Sequence, residues 1–345
     1  MSWPDLLGDL VRGQDQPPEA TAWAMEQILN GLATPAQLGA FMVGLRSKGE
    51  TVAEISGLAD VMIAFATPIS IAGPAVDVVG SGGDRSNTVN ISTMAAVVAA
   101  GAGARVVKHG NRAASSACGA ADVLEELGVV LGLSPQAQSR VVDQVGIGFL
   151  FAPHYHPALR HVSAPRAELG ILTTFNFLGP LANPARPIAQ AVGVADARMA
   201  QLMAGVLADR GNQGLVVHGN DGLDELTTTT SSRVWVYGDR RVTEVDFDPA
   251  ELGIPRSARA DLVGGDARHN AGVVREVLAG QAGPIRDVVL LNAAAALVAE
   301  SGPREPDLIG QFRTQLDRAE EAVDSGAAAR LLDRWIAATQ SAAAE

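Results

Sequence analysis

The feature that most constrains this chain is a change of residue pattern near position 75. Ala75–Val79 is a short run of mostly β-branched residues that ends in a glycine loop, Gly80-Ser-Gly-Gly-Asp84, and a helix-like segment begins at Asn90. Strand-like runs and helix-like segments then alternate along the chain. This alternation predicts an α/β fold with a mostly parallel central sheet covered by helices.

The later elements follow from the same pattern. We expect strands at Ala104–Lys108, Ile147–Phe151, Ala189–Val194 and Leu215–His218, and shorter strands between Arg233 and Phe247. We expect helices at Ala120–Leu127, from Ser134, and at Ala197–Ala208, Asn270–Leu278, Val288–Val298 and Leu308–Trp335.

The region before this change reads as helical throughout. Thr34-Pro-Ala-Gln37 and Thr51-Val-Ala-Glu54 each fit a capping box, which marks the start of a helix. We therefore predict a small helical domain over 1–70, with helices near 166–186 packing on it. The remainder, 71–165 and 187–345, should form the larger α/β domain.

Composition argues against several classes of protein. The chain has 345 residues, enough for two domains at roughly 150 residues each. A net charge of −12 argues against a nucleic-acid partner, and the longest apolar stretch, Val288–Ala299, is too short to span a membrane. The first residues lack a secretion signal and there is one cysteine, so we expect a cytoplasmic protein with no disulfide and no thiolate zinc site.

Two polar loops suit a phosphorylated ligand. The loop Gly80–Asp84 lies between a strand and a helix, where free backbone N–H groups and the helix dipole can hold phosphate, although a plain tight turn fits the same residues. Lys108–Ser116 follows the next strand with two cations and two hydroxyls, but could equally be a solvated basic turn. Because ligands bind at the carboxyl ends of strands in open α/β sheets, both loops can face one crevice.

A third element is the carboxylate pair Asp224-Glu225, which follows a predicted strand. Hard oxygen ligands of this kind, together with a hydroxyl such as that of Ser92, suit magnesium bound with substrate phosphates. In an acidic chain the same pair could be surface charge.

Together these motifs resemble the anthranilate phosphoribosyltransferase family. The resemblance rests on Gly80–Asp84 with Asn90–Thr93, Lys108–Arg112, Phe177–Pro184, and Asp224-Glu225-Leu-Thr, in that order along the chain. It implies a nucleoside phosphorylase/phosphoribosyltransferase-type fold. It also implies transfer of the phosphoribosyl group of 5-phosphoribosyl 1-pyrophosphate (PRPP) to the amino group of anthranilate, giving N-(5-phosphoribosyl)anthranilate and pyrophosphate in tryptophan biosynthesis.

The resemblance also implies roles for individual residues. Those expected to bind PRPP are Gly80, Gly83, Asp84, Thr88, Asn90, Ile91, Ser92, Thr93, Lys108, His109, Gly110, Asn111, Arg112, Ala113, Ala114, Ser115, Ser116 and Ala120. Gly80, Asn111 and Arg166 are expected at the anthranilate site, and Ser92, Asp224 and Glu225 at the metal, with two Mg²⁺ per subunit. His109 and His156 fall along the acceptor channel, where packing and substrate contact are equally compatible. A homodimer through the N-terminal helices is implied, with no acid or base catalyst assigned.

The chain departs from the family pattern at Arg85, where glycine is usual, and at Ala117, Cys118 and Ala120, where Lys, Ser and Ser are frequent. Ala120 is therefore expected to contribute only backbone. Two alternatives stay open. A pyrimidine nucleoside phosphorylase would be expected to show a base-reading Arg and Lys pair, and a non-catalytic binding relative would be expected to lose metal ligands and gain a basic face.

Overall fold

The computed structural model describes residues 1–113 and 117–345, so the predictions for Ala114, Ser115 and Ser116 fall outside the described residues. The chain begins with helices α1 (Trp3–Val11), α2 (Pro18–Leu29), α3 (Pro35–Lys48) and α4 (Val52–Ala64). Both predicted capping boxes are present, at Thr34 and Thr51, and each satisfies N–H groups that a helix start otherwise leaves without partners.

A seven-stranded sheet forms the centre of the rest, counted over the described residues. Its strands are β1 (Val76–Gly80), β2 (Val106–Gly110), β3 (Ile147–Phe151), β4 (Ala189–Gly193), β5 (Gln213–Gly219), β6 (Ser232–Gly238) and β7 (Arg241–Phe247), in the order β3-β2-β1-β4-β5-β6-β7. β1 to β5 are parallel, and β6 and β7 add an antiparallel edge.

The remaining helices follow the first four along the chain. They are α5 (Ile91–Gly101), α6 (Ala120–Leu127), α7 (Pro135–Val145), α8 (Ala152–Tyr155), α9 (Arg160–Leu169), α10 (Ala197–Asp209), α11 (Ala267–Leu278), α12 (Pro284–Ser301), α13 (Leu308–Asp324) and α14 (Ala327–Ala344). The predicted fold class, a small helical region before a larger α/β region with a mostly parallel sheet, is confirmed. In the described part of the chain, no helix combines the length and apolar character needed to cross a membrane.

Two local predictions were wrong. The second strand is Val106–Gly110 and not Ala104–Lys108, so Lys108 lies in a strand and not at the start of a loop. The strands of the 233–247 region have seven residues each, longer than the five-residue strands β1 to β4. The stretch Leu308–Trp335 is helical as expected and is divided between α13 and α14, because the chain turns at Gly326, whose φ of 73° is favourable for glycine.

Each face of the sheet has its own apolar core. One core combines Val76 and Val78 of β1 with residues of α5, α12 and α14. The other combines Val79 of β1 with Met199 and Met203 of α10 and with the first four helices. Because side chains alternate along a strand, neighbouring residues of β1 serve opposite cores. The helical region therefore shares a continuous core with one face of the sheet.

The segment 156–187 runs between these parts. α9 contacts α2 and α3, and Phe177 and Leu178 are buried in the core of the helical region. Glu50, two residues after the end of α3, has a completely buried side chain, which accepts a 2.6 Å hydrogen bond from Thr174 Oγ1 and forms an ion pair of 2.5 Å with Arg198 of α10. This carboxylate joins the helical region, the segment and the α/β region at one point.

Candidate active site

The carboxyl ends of β1 and β4 define the candidate site. β1 continues to β2 and β3 on one side and to β4 and β5 on the other, so the strand order reverses between β1 and β4. A reversal of this kind opens a crevice at the carboxyl ends of the strands. The glycine loop after Gly80 lies there, and a Cβ on Gly83 would be 3.2 Å from Leu172, so the segment 156–187 reaches the same loop.

Three carboxylates meet at this crevice. Each of Asp84, Asp224 and Glu225 places an oxygen within 4.8 Å of the others. Asp224 Oδ2 accepts a 2.6 Å hydrogen bond from the Gly82 N–H, which ties the carboxylate pair to the glycine loop. Among the described residues, Asp84 Oδ2 and Glu225 Oε2 are buried and have no hydrogen-bond partner.

The electrostatics of this cluster favour a cation. Burial, followed by repulsion from Asp84, raises the pKa of Asp224 to about 7. Burial and the charge of Asp224 raise the pKa of Glu225 well above its usual range. Buried oxygens without partners are costly, and a divalent cation held by hard oxygen ligands would remove both the repulsion and the missing contacts. The residues present therefore fit magnesium.

Lys108 lies beside this cluster, in β2. Its Nζ donates to Val78 O and, at 3.2 Å, to Ser92 Oγ at the start of α5. Burial lowers the pKa of Lys108 to about 8, opposed by the charges of Asp77, Glu225 and Asp224. Ser92 therefore contacts Lys108. The third carboxylate of the cluster is Asp84, a residue predicted to bind PRPP and not the metal.

The structure places the predicted PRPP residues in two groups. The first group lies between the end of β1 and the first turn of α5 and consists of Gly80, Gly83, Asp84, Thr88, Asn90, Ile91, Ser92 and Thr93. The second group lies between β2 and the start of α6 and consists of Lys108, His109, Gly110, Asn111, Arg112, Ala113 and Ala120. The two groups touch where Asn90 Nδ2 donates to Cys118 O at 3.1 Å. The side chain of Ile91 is fully buried in the apolar core, so only its backbone is available for a ligand.

Arg112 has carboxylate partners in α6. Its guanidinium pairs with Asp122 at 2.9 Å and Glu125 at 2.5 Å and lies over the Phe151 ring. These hydrogen bonds raise the pKa of Arg112 above its usual range. A PRPP contact from Arg112 would compete with both carboxylates, so that role stays a prediction.

His109 and His156 lie together, with ring centroids 5.1 Å apart. His109 Nδ1 donates to Gly179 O at 3.1 Å and His156 Nε2 donates to Ala182 O at 2.9 Å, because a carbonyl can only accept. Burial, followed by the neighbouring His156, lowers the pKa of His109 to about 3. In the part of the chain that the structure describes, His109 Nε2 is buried and has no hydrogen-bond partner, and the lowered pKa keeps the ring neutral, so this nitrogen can accept a hydrogen bond.

Arg166 lies on α9 and is partly buried. Burial lowers the pKa of its guanidinium, and among residues 1–113 and 117–345 it has no ion pair or side-chain hydrogen bond. A half-buried guanidinium without a carboxylate partner is suited to an anionic ligand.

Two buried polar residues near the site were missed by the sequence analysis. Asp77 of β1 accepts hydrogen bonds from His109 N at 3.2 Å and Asn183 Nδ2 at 2.9 Å, and burial raises its pKa to about 6. A lone carboxylate inside the apolar run Val76–Val79 was the available signal. Asn183 lies in the Phe177–Pro184 motif, but its bonds to Asp77 and to Val107 O depend on the fold and could not be predicted from the motif.

Comparison with known proteins defines the class. Residues 72–329 match the model of the glycosyl transferase family, a/b domain, and residues 4–66 match that of the glycosyl transferase family, helical bundle domain.

Individual relatives agree with this class. Anthranilate phosphoribosyltransferase of Nocardioides sp. is 58% identical over 98% of this chain and 99% of its own length. The crystal structure of anthranilate phosphoribosyltransferase from Thermus thermophilus matches 97% of this chain and 99% of that one, with a TM-score of 0.90 and 38% identity. The Saccharomyces cerevisiae enzyme in complex with PRPP and Mg matches 99% of this chain and 94% of that one, with a TM-score of 0.82 and 27% identity. The chain belongs to the anthranilate phosphoribosyltransferase family.

Proposed function

We propose that this chain transfers the phosphoribosyl group of PRPP to the amino group of anthranilate, releasing pyrophosphate, in tryptophan biosynthesis. The observation that carries the proposal is the cluster of Asp84, Asp224 and Glu225 beside the glycine loop and Lys108. A relative supports it, since the Saccharomyces cerevisiae enzyme has been solved in complex with PRPP and Mg and, in a second structure, with 4-fluoroanthranilate.

Displacement at the anomeric carbon makes two electrostatic demands. Positive charge develops on the ribose while negative charge grows on the leaving pyrophosphate. Magnesium held by Asp84, Asp224 and Glu225 would neutralise charge on the pyrophosphate. Lys108 adds a buried cation, and the glycine loop and the start of α5 offer backbone N–H groups at a helix N-terminus. We assign the other predicted PRPP residues to binding, with Ser92 as a further metal contact and two ions per subunit.

The acceptor needs orientation more than activation. An aromatic amine attacks as the neutral species, so holding it against the anomeric carbon supplies the main advantage. We assign the anthranilate carboxylate to Arg166, with Asn111 and Gly80 lining the same site. His109 is a poor base at neutral pH because burial holds its pKa at about 3, so its role is to bind or pack against the acceptor.

A fluorescence assay of anthranilate consumption tests the function. We expect consumption only when PRPP, Mg²⁺ and protein are all present, and equimolar release of pyrophosphate. A matched reaction with uridine and inorganic phosphate should give no ribose 1-phosphate. Anthranilate that stays constant with all components present would overturn the proposal, and phosphorolysis of uridine would favour a nucleoside phosphorylase.

We also propose a homodimer formed through the N-terminal helices, and a cytoplasmic location. Such an interface would cover apolar side chains that are exposed in this region, Val11 and Leu32 among them. Light scattering coupled to gel filtration should give twice the chain mass of 35.6 kDa. Replacement of Val11 and Leu32 by Glu should give a monomer, and an unchanged dimer in that variant would contradict the proposed interface.

A further inference from the structure

Asn292 is an isolated polar residue in the buried middle of α12. α12 buries every residue from Val288 to Ala299, and Asn292 is the one polar side chain among them, 6% exposed. An amide in such surroundings is unfavourable unless its donors and acceptor are all paired.

Two of the three hydrogen bonds of the Asn292 side chain go to a residue outside its helix. Its Oδ1 accepts a 3.0 Å hydrogen bond from Leu226 N, and its Nδ2 donates to Leu226 O at 2.9 Å and to Val288 O at 2.8 Å. The side-chain amide therefore holds both the N–H and the C=O of one residue. This is the pairing that a neighbouring strand would give, and it fixes Leu226 in position and in peptide orientation.

Leu226 directly follows the carboxylate pair. On the opposite side the same loop is held through Asp224, whose Oδ2 accepts from Gly82 N at 2.6 Å. The loop is thus fixed at both ends of the pair, by the glycine loop at Asp224 and by α12 at Leu226. Glu225 lies between these two attachments, and its Oε2 is buried with no hydrogen-bond partner within residues 1–113 and 117–345.

We propose that Asn292 is a positioning residue that holds Asp224 and Glu225 in the geometry needed for the metal and its phosphate ligand. The inference rests on the proposed function only for the identity of that ligand. Asn292 itself acts through the backbone of Leu226. Outer partners of metal ligands typically change metal affinity by about 10–100-fold when removed.

The test compares Asn292→Asp with Leu297→Ala. Aspartate has nearly the same shape and can still accept from Leu226 N, but it has no donor for Leu226 O or Val288 O. Leu297 is fully buried in the same helix, so its truncation destabilises α12 without removing a bond to the loop. Asn292→Ser is the milder variant should Asn292→Asp fail to fold.

Two readouts besides activity separate positioning from simple stability. Mn²⁺ binding is measured by electron paramagnetic resonance in the presence of inorganic pyrophosphate, and amide hydrogen exchange is followed over residues 223–228. We expect the Asn292 variants to bind Mn²⁺ about 10–100-fold more weakly and to exchange faster at this loop, whereas Leu297→Ala retains wild-type Mn²⁺ affinity.

Unchanged Mn²⁺ affinity in the Asn292 variants would overturn the inference, as would an equal loss in Leu297→Ala or a wild-type protein that binds no Mn²⁺. Failure of the proposed function would give a different experimental result. In that case the wild-type protein binds Mn²⁺ and the Asn292 variants lose it, while no anthranilate is consumed by any of them.

Discussion

Gly193, at the end of β4, lies directly against the backbone of Asp224. A Cβ at position 193 would overlap the Asp224 carbonyl oxygen and lie 3.1 Å from Glu225 N. Gly80, the neighbour of Gly193 across the sheet, meets the carboxylate of the same residue. The absence of side chains on these two strand ends is what lets the carboxylate pair enter the crevice.

Replacement of Gly193 by Ala should therefore displace the Asp224-Glu225 loop. Overpacking of this kind costs about 1–3 kcal/mol of the free energy of unfolding, and we expect turnover to fall at least about tenfold because the carboxylates move. Gly272→Ala is the control, since nothing lies within 4 Å of a Cβ at that exposed position in α11. Steady-state kinetics and chemical denaturation of both variants provide the measurement. Wild-type turnover in Gly193→Ala would contradict the close approach.

Asp224→Asn should separate activity from stability. Turnover at saturating Mg²⁺ should fall at least about tenfold, because a ligand contributes no less than an outer partner does. Burial and the charge of Asp84 raise the pKa of Asp224 to about 7, so ionising it in the folded protein is unfavourable. In Mg²⁺-free buffer at pH 8 the variant should therefore be at least as stable as wild type. Asp239→Asn, in the exposed turn between β6 and β7, should change neither quantity.

Arg166→Ala should weaken the use of anthranilate and leave PRPP almost unaffected. Loss of a charged hydrogen-bond partner costs about 1.5–3 kcal/mol, which corresponds to a rise of one to two decades in the Michaelis constant for anthranilate. Arg160→Ala, on the same helix and exposed, is the matched control. Equal shifts of both Michaelis constants in Arg166→Ala would remove this residue from the acceptor site.

The stability of the protein should depend on pH through His109. Its pKa is about 3 in the folded protein and 6.5 ordinarily, so between these values the unfolded chain binds a proton that the folded protein does not. The free energy of unfolding therefore falls as pH is lowered from 6.5 towards 3, by about 1.4 kcal/mol per pH unit. Asp77 has the opposite effect on the free energy of unfolding between pH 3.8 and about pH 6. Its pKa is raised, so in this range the folded protein binds a proton that the unfolded chain does not.

The two contributions can be separated with His109→Asn. Asparagine can still donate to Gly179 O but has no proton to take up in this range. The variant should be less stable than wild type at pH 7, and the difference should shrink as pH is lowered to 4. Denaturation curves at several pH values measure it, and a difference that does not change with pH would contradict a neutral, buried His109.

The sequence by itself determined the features that depend on neighbours along the chain. The capping boxes at Thr34 and Thr51 involve residues three positions apart, and the glycine loop follows its strand directly. The resemblance to a family identified the candidate ligands because the motif residues occur in the same order along the chain. These features need only local geometry, so a pattern of residues is enough to find them.

The tertiary structure alone decided which of these residues meet. Asp84 joins Asp224 and Glu225 although the two groups are 140 positions apart, and Arg112 forms ion pairs with Asp122 and Glu125 of α6. In the sequence, Asn292 is a single polar residue within an apolar stretch, and its proposed role depends on hydrogen bonds to Leu226 that form only in the folded chain. The cause is the strand order: β4 is inserted next to β1, and that placement brings the loops after β1 and β5 to one edge of the sheet.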